Sequence, residues 1–167
     1  NPVEVKFITG SEDNYDIECI PGTLTVTNSS AQIVVTAEDA TKRYDGTPLT
    51  NNKFKLENLP EGFTINVLIE GSITHVSENA PNNNKVKEVK IFDDDNKDVT
   101  KNFPNLMTVD GTLTITPAPL KLTSETDIFM YDGQEHKNEN VIIEGLVGTD
   151  EIKARATGRI RYVGTVD

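Results

Sequence analysis

The chain has no tryptophan, one cysteine, two histidines and an aromatic content of only 6%. Each shortage excludes something. A single cysteine, Cys19, cannot form an internal disulfide, and His75 and His136 with no cysteine beside them make a poor zinc set. An enzyme of the nucleophile–histidine type would have to use one of those two histidines. Neither sits in a catalytic motif, and both read as surface strand or turn residues. Scarce aromatics count against a surface built to stack sugars. Positive charge is also the minority: 16 Lys and Arg against 27 Asp and Glu give a net charge of −11. That balance opposes a surface tracking nucleic-acid phosphates. No apolar run approaches a membrane span, and no amino-terminal stretch has the charged-then-apolar form of a signal peptide.

What is present is repetition. "KRYDGTPLT" at Lys42 to Thr50 finds an echo in "FMYDGQEHK" at Phe129 to Lys137, with Tyr44 and Tyr131 lying 87 positions apart (131 − 44). The same offset superimposes Ile33 on Leu120, Val35 on Leu122, Leu59 on Leu146, Ile65 on Ile152, Gly71 on Gly158, Ile73 on Ile160 and Val76 on Val163. A second echo joins "GTLTVT" from Gly22 with "GTLTIT" from Gly111, and "VEVKFI" from Val3 matches "KEVKIF" from Lys87. Asn14 and Tyr15 match Asn102 and Phe103. The chain therefore divides into the back part of a repeat at 1–27, a complete repeat at 28–116 and the front part of another at 117–167. A unit near 87 residues exceeds solenoid repeats, so each copy should be a domain stacked on its neighbours. Pro117 and Pro119 stiffen the junction after "GTLTIT".

Within the complete copy the apolar period is two. Leu113 and Ile115 alternate with threonines, as Leu24 and Val26 do earlier, and "FTINVLIEGSIT" puts Phe63, Ile65, Val67, Ile69 and Ile73 on one face. No stretch carries apolar residues at helical spacing. The pattern predicts strands near Ile33 to Ala37, Lys53 to Glu57, Thr64 to Thr74, Val86 to Phe92, Asn102 to Val109 and Thr112 to Thr116. An all-β class follows, with small Ig-like sandwich repeats in tandem as the expected architecture and a β-grasp-like module with little or no helix as the alternative. Each partial copy would leave strand edges and an apolar face without partners. Three outcomes would satisfy both parts: the domain boundary differs from the repeat boundary, residues of a longer chain complete each part, or the back part of one molecule completes the front part of the next.

Tyr-Asp-Gly itself has two readings. As architecture, glycine takes positive φ cheaply, aspartate bonds its own backbone two residues on, and tyrosine buries its ring; Tyr44 and Tyr131 should then be equivalent and substantially buried. As a site, Tyr44 would be a stacking platform with Asp45 as acceptor. The flanks favour architecture, because Thr47-Pro48-Leu49 in one copy faces Gln134-Glu135-His136 in the other. The run Asp93, Asp94, Asp95, Asn96 and Asp98 invites a calcium loop, yet Asp98 and Pro104 stand where an EF-hand needs glycine and glutamate, so it reads as a solvated turn. Glu57, Glu61 and Glu70 offer carboxylates for glycoside hydrolysis, with nothing fixing a pair across a cleft. Cys19 aligns with Met107 and reads as a small apolar core residue.

"TAEDATKRYDGTPLT", "GFTINVLIEGSIT", "NKDVTKNF" and "GTLTITPA", in that order, resemble the Tyr-Asp-Gly-containing tandem repeats of bacterial surface proteins, of the MBG and YDG types and grouped with bacterial Ig-like modules. The third copy departs from the pattern in having Phe129-Met130 before Tyr-Asp-Gly, and the first has "GSEDNYD" in place of Asp-Val-Thr. The resemblance implies an extracellular, cell-wall-linked array serving adhesion as a stalk or spacer. Its implied partners are neighbouring repeats, or in the alternative a host or matrix glycan or protein. It carries over no catalytic, cofactor-binding or metal residues. The residues it marks are structural: Tyr44, Asp45, Gly46, Tyr131, Asp132, Gly133, Gly71, Gly158, Gly22 and Gly111.

Overall fold

Threonine, valine and isoleucine in alternation produce short strands throughout the computed structural model, which describes residues 1–166 and leaves Asp167, the end of the third segment, outside the described residues. Seven strands belong to the middle unit: β1 (Val34–Ala37), β2 (Ala40–Arg43), β3 (Phe54–Glu57), β4 (Thr64–Glu70), β5 (Lys85–Phe92), β6 (Met107–Val109) and β7 (Leu113–Thr116). Two more, β8 (Lys121–Ser124) and β9 (Val141–Glu144), follow it. Helix among the described residues is confined to three-residue 3-10 turns at Glu12–Asn14, Val76–Glu78 and Thr100–Asn102. The protein is all-β.

The sheets are small. β1 lies between β3, antiparallel, and β6, parallel; β2 pairs in parallel with β7; β4 and β5 form an antiparallel hairpin. Between β1 and β2 the chain changes sheet at Glu38 and Asp39, where the Asp39 carboxylate accepts the Thr112 N–H at 2.6 Å. β2 escapes the sequence pattern because Lys42 takes an inward position that an apolar residue would normally hold. The strand expected through Thr74 ends at Glu70, and the one expected from Asn102 begins at Met107, since Thr100–Asn102 coils and delivers Phe103 to the core.

Among the described residues the nine buried apolar side chains all lie between Ile33 and Ile115, so this core belongs to the middle unit. One cluster gathers Ile33, Ile91 and Phe103, with Phe63 edge-on to Phe103 at 5.1 Å. The other gathers Ile73, Leu113 and Ile115, with Ala40, Tyr44 and Leu49 packed against it. The alternation along "FTINVLIEGSIT" holds: Ile69 and Ile73 are buried and Phe63, Ile65 and Val67 half-buried.

Asn84 ties these parts together from a fully buried position. Its backbone exchanges two hydrogen bonds with Gly111, at 3.0 and 2.9 Å, and its Nδ2 donates to the carbonyls of Glu38 at 3.1 Å and Asn51 at 2.9 Å. The amide oxygen has no hydrogen-bond partner among the described residues. It lies so close to Gly71 that a Cβ there would sit 2.6 Å away, and a Cβ on Gly111 would sit 2.6 Å from the Ala37 carbonyl. Both glycines are therefore required by close approach. Asn79 and Asn83 close the outer edge of β7: each side chain donates to and accepts from one backbone unit, at Ile115 and Leu113 respectively. An edge so covered offers no template for a further strand.

The flanking segments reproduce local geometry of the middle unit without its core. Asn1 and Gly22 exchange backbone hydrogen bonds as Asn84 and Gly111 do. Glu12–Asn14 repeats the turn Thr100–Asn102, and the Phe7 ring stacks on Tyr15 at 5.4 Å in the positions of Ile91 and Phe103. β8 and β9 pair from Lys121↔Glu144 to Ser124↔Val141, each residue 87 after its counterpart in β1 and β3. The isolated bridge His136↔Ile160 likewise follows Leu49↔Ile73. Yet Leu24, Val26 and Leu122 are 77%, 98% and 50% exposed, against 0% to 1% for Leu113, Ile115 and Val35. Cys19 corrects an expectation: it is exposed rather than core, and its counterpart Met107, on the outward β6, is 60% exposed even inside the complete unit.

Asn84→Ala should lower the unfolding free energy of the middle unit by about 1–3 kcal/mol, because the half-buried Asn51 carbonyl loses the Nδ2 donor and the Glu38 carbonyl keeps only Asn51 Nδ2. Urea denaturation followed by circular dichroism measures it. Asn1→Ala, outside the core, should leave that transition where it is.

Candidate functional site

The two Tyr-Asp-Gly segments make the same turn. Gly46 and Gly133 both take φ 77°, the region glycine enters without a Cβ clash. Asp45 Oδ1 accepts the N–H of Thr47 at 2.9 Å, and Asp132 Oδ1 that of Gln134 at 2.8 Å, the same side-chain-to-backbone turn in each copy.

The partners of the two aspartates differ. In the middle unit Lys42 Nζ donates to Asp45 Oδ1 at 2.7 Å, to Thr47 Oγ1 at 2.8 Å, and to the carbonyls of Thr47 and Pro48 at 2.5 and 3.3 Å. The Lys42 hydrogen bond, helped by the Thr47 N–H and hydroxyl, holds the Asp45 carboxyl down at about 2. At the equivalent positions of the third segment Phe129 replaces Lys42 and His136 replaces Leu49. The His136 ring brings Nε2 within 2.8 Å of Asp132 Oδ1 and stacks on Phe129 at 4.5 Å, 14° from parallel. The nitrogen-bearing and apolar residues have exchanged places while the aspartate keeps a nitrogen partner. The Asp132 carboxyl is also lowered, first by the Gln134 N–H and then by His136.

Tyr44 packs on the core of its own unit. It is half-buried against the Ile73 cluster, with His75 tilted beside it at 5.9 Å. Its hydroxyl makes a long contact of 3.4 Å to Asp150 Oδ1, and that carboxylate raises the phenol's pKa. A Cβ on Gly46 would rest 3.5 Å from Val147 Cγ1. Tyr44, Val76, Pro117, Leu120, Leu146 and Val147 line one shallow hollow of about 250 Å³. The Tyr-Asp-Gly turn of the middle unit thus meets the Gly145–Asp150 turn of the segment after it. Gly145 fits there with φ 99° and its Cα against the Pro119 carbonyl, leaving no room for a side chain.

Tyr131 corrects the expectation that both rings are buried: it is 64% exposed. Its segment has no counterpart of β7 among the described residues, and Tyr162, where the middle unit has His75, is itself exposed. Gly71 and Gly111 sit at the Asn84 crossing, whereas Gly22 and Gly158 stand in open surroundings.

The remaining candidates are occupied locally. Asp93 Oδ1 accepts the N–H groups of Asp95 and Lys97 at 3.1 and 2.9 Å, and Asp98 Oδ1 accepts from both the N–H and the hydroxyl of Thr100, which lowers its pKa. These carboxylates build the turn that ends β5. Among the described residues no three His, Cys, Asp or Glu are grouped to share a metal ion. Glu57, Glu61 and Glu70 are exposed, with Glu70 3.8 Å from Lys87 Nζ. His75 gives its backbone N–H to Glu78, which caps the turn beginning at Val76. Sequence reasoning gave Lys42 and His136 no role at the aspartates and missed Val147 and Asp150; aligning the copies at 87 residues exposes the first two as a paired exchange.

Two outcomes follow. Asp45 binds its proton less readily folded than unfolded, where its value is near 3.8, so the stabilising share of the Lys42 pair is complete above that value and is lost as pH falls through about 2. Carboxyl carbon NMR should find Asp45 titrating near 2, rising toward the ordinary range in Lys42→Ala with Asp132 unmoved. Tyr44→Ala should lower the melting midpoint by a few degrees, less than loss of a fully buried ring, and Tyr44→Phe should scarcely change it because the hydroxyl contact is long. Compared with protein-family models, curated proteins and solved structures, the chain matches none of them.

Proposed function

We propose that this chain is a non-catalytic repeat module of an extracellular array on a bacterial cell surface, working as a stalk or spacer in adhesion. The observation that carries the reading is what the signature residues touch. Asp45 and Lys42 lock one turn, Gly46 supplies its positive φ and faces Val147 of the following segment, and Tyr44 reaches Asp150 there. A motif that builds the turn and meets the next unit explains its own recurrence, as the resemblance to Tyr-Asp-Gly surface repeats implies. The acidic balance, −11 over 167 residues, suits a solvated outer surface that must not self-associate through random patches. No helix among the described residues is long and apolar enough to cross a membrane.

For the architecture, the assignment of adjacent β1 and β2 to different sheets, over two apolar clusters, supports a small Ig-like sandwich. The central β1, flanked by antiparallel β3 and parallel β6, is the feature that favours the β-grasp-like alternative.

A repeat that itself binds a host or matrix glycan or protein is the second reading, favoured by the exposed rings of Tyr131 and Tyr162. The two separate in one experiment. Units inserted in increasing number between a wall anchor and a reporter on a bacterial surface should raise the reporter stepwise, and the labelled chain should show no saturable binding to glycan arrays or matrix proteins. A reporter height indifferent to unit number sinks the spacer reading. Saturable binding lost in Tyr131→Ala, at unchanged melting temperature, installs the binding reading instead.

A further inference from the structure

Charge is unevenly spread along this acidic chain. From Ile152 to Val166 there is no acidic residue, against 27 in the whole sequence, and three of its four arginines, Arg155, Arg159 and Arg161, follow Lys153 there. These four cations, with Thr157 between them, stand at alternate positions and are exposed, whereas Ile152, Ala156, Gly158 and Ile160 are half-buried. Alternate side chains share one face of an extended run. The run is held to its neighbour by the His136↔Ile160 bridge and by the Ala156 N–H, which donates to the Glu139 carbonyl at 3.1 Å. One face therefore presents Lys153, Arg155, Thr157, Arg159 and Arg161.

The middle unit has no such face. Asn66, Leu68, Glu70, Ser72 and Thr74 stand 87 positions earlier, without a cation among them. Their setting shows that the face is an outer one: Asn66, Leu68 and Glu70 are exposed in β4, and β5 pairs along its edge rather than over it. Exposure of the basic face thus follows from the pattern of a complete unit. Beside it, Lys137, Glu139, Arg155, Thr157 and Arg159 line a cleft of about 30 Å³, three cations against one carboxylate. Lys137 first, then Arg155 and Arg159, hold the Glu139 carboxyl below its usual range. Glu135 on Arg159 at 2.7 Å and Glu139 on Lys137 at 2.6 Å are exposed pairs, weak enough to exchange for another anion. Lys153 and Arg155 make no ion pair among the described residues.

We propose that this face binds a linear phosphodiester polymer of small polyols, an anionic polymer of the wall of the cell that carries the chain. The location rests on the surface reading above; the chemistry rests on the face. Lys153 to Arg161 extends about 26 Å at the rise of a strand, too long for one small anion and suited to a polymer. A phosphodiester of a three-carbon polyol repeats every six bonds, about 7 Å, the reach of two extended residues and so of Lys153 to Arg155 and of Arg159 to Arg161. Guanidinium forks take two phosphate oxygens at once, and a thin, flexible chain lets one oxyanion enter the small cleft. Single-stranded nucleic acid shares the six-bond repeat but needs rings on which its bases stack. The face has none, and the nearest ring, Tyr162, already has the Arg161 guanidinium 5.8 Å from its centroid. A sulfated polysaccharide fixes its charges on rigid rings that cannot adjust to the two cation pairs.

Fluorescence anisotropy of a short, end-labelled poly(glycerol phosphate) titrated with the 167-residue protein tests this. Binding should saturate at low salt, and log affinity should fall with log salt at a slope near about −3, four contacts at about −0.7 each. Arg155→Gln and Arg159→Gln should each weaken binding roughly tenfold, the loss of one charge-assisted contact, and flatten the slope. Arg43→Gln, which removes the remaining arginine, exposed on β2, should change neither. Absence of saturable binding overturns the proposal, as does an equal loss in Arg43→Gln, the mark of unspecific charge attraction. Tighter binding of an oligouridylate assigns the face to nucleic acid, and tighter binding of a heparin oligosaccharide assigns it to a sulfated glycan; either overturns the polyol assignment. The readout is the purified chain in solution, so its failure leaves the stepwise reporter heights, and with them the spacer reading, untouched.

Discussion

A single buried amide holds the complete unit closed. Asn84 receives no solvent, so each polar atom around it must find a protein partner, and its Nδ2 and backbone supply four of those bonds to Glu38, Asn51 and Gly111. Those residues come from the sheet-changing corner, the approach to β3 and the approach to β7. Apolar burial drives the strands together, but it is non-directional. The amide makes one arrangement of the corner better than its neighbours, and it dictates glycine at 71 and 111 by proximity. Its unpartnered oxygen is the one concession in that geometry.

The same logic of local polar closure runs outward to the surface. Asn79 and Asn83 cap the edge of β7, Asp110 receives both Lys85 Nζ and the Val86 N–H, and Lys42 gathers four oxygens under the Tyr-Asp-Gly turn. Asparagine and aspartate are abundant because short side chains reach nearby backbone without long entropic reach. The exchange of Lys42 and Leu49 for Phe129 and His136 shows the constraint from the other side. The turn needs a nitrogen on its aspartate and an apolar neighbour, and either can come from before or after the glycine.

The middle unit meets the segment after it through its Tyr-Asp-Gly turn. Tyr44 belongs half to its own Ile73 cluster and half to the loop at Val147 and Asp150, so its environment depends on a neighbour in a way a core residue's does not. Tyr131 shows the consequence. It is followed by the same glycine φ and the same aspartate turn as Tyr44, yet its ring stands in solvent.

By itself the sequence determined the all-β character, the inward face of β4, six of the seven strands of the middle unit and the 87-residue correspondence that the β8–β9 register follows. Those properties rest on period-two alternation and on turn residues, both local and therefore legible. Only the tertiary structure decided that β2 exists despite an inward lysine, that Cys19 and Tyr131 are exposed, that Gly71 and Gly111 are crowded while Gly158 and Gly22 are not, and that Asp45 is held by Lys42 but Asp132 by a histidine. Each of these turns on which atoms, distant in the chain, arrive beside a residue. Equivalent positions in a repeat have equal local preferences but unequal neighbours, and burial, close approach and ion pairing are properties of the neighbours.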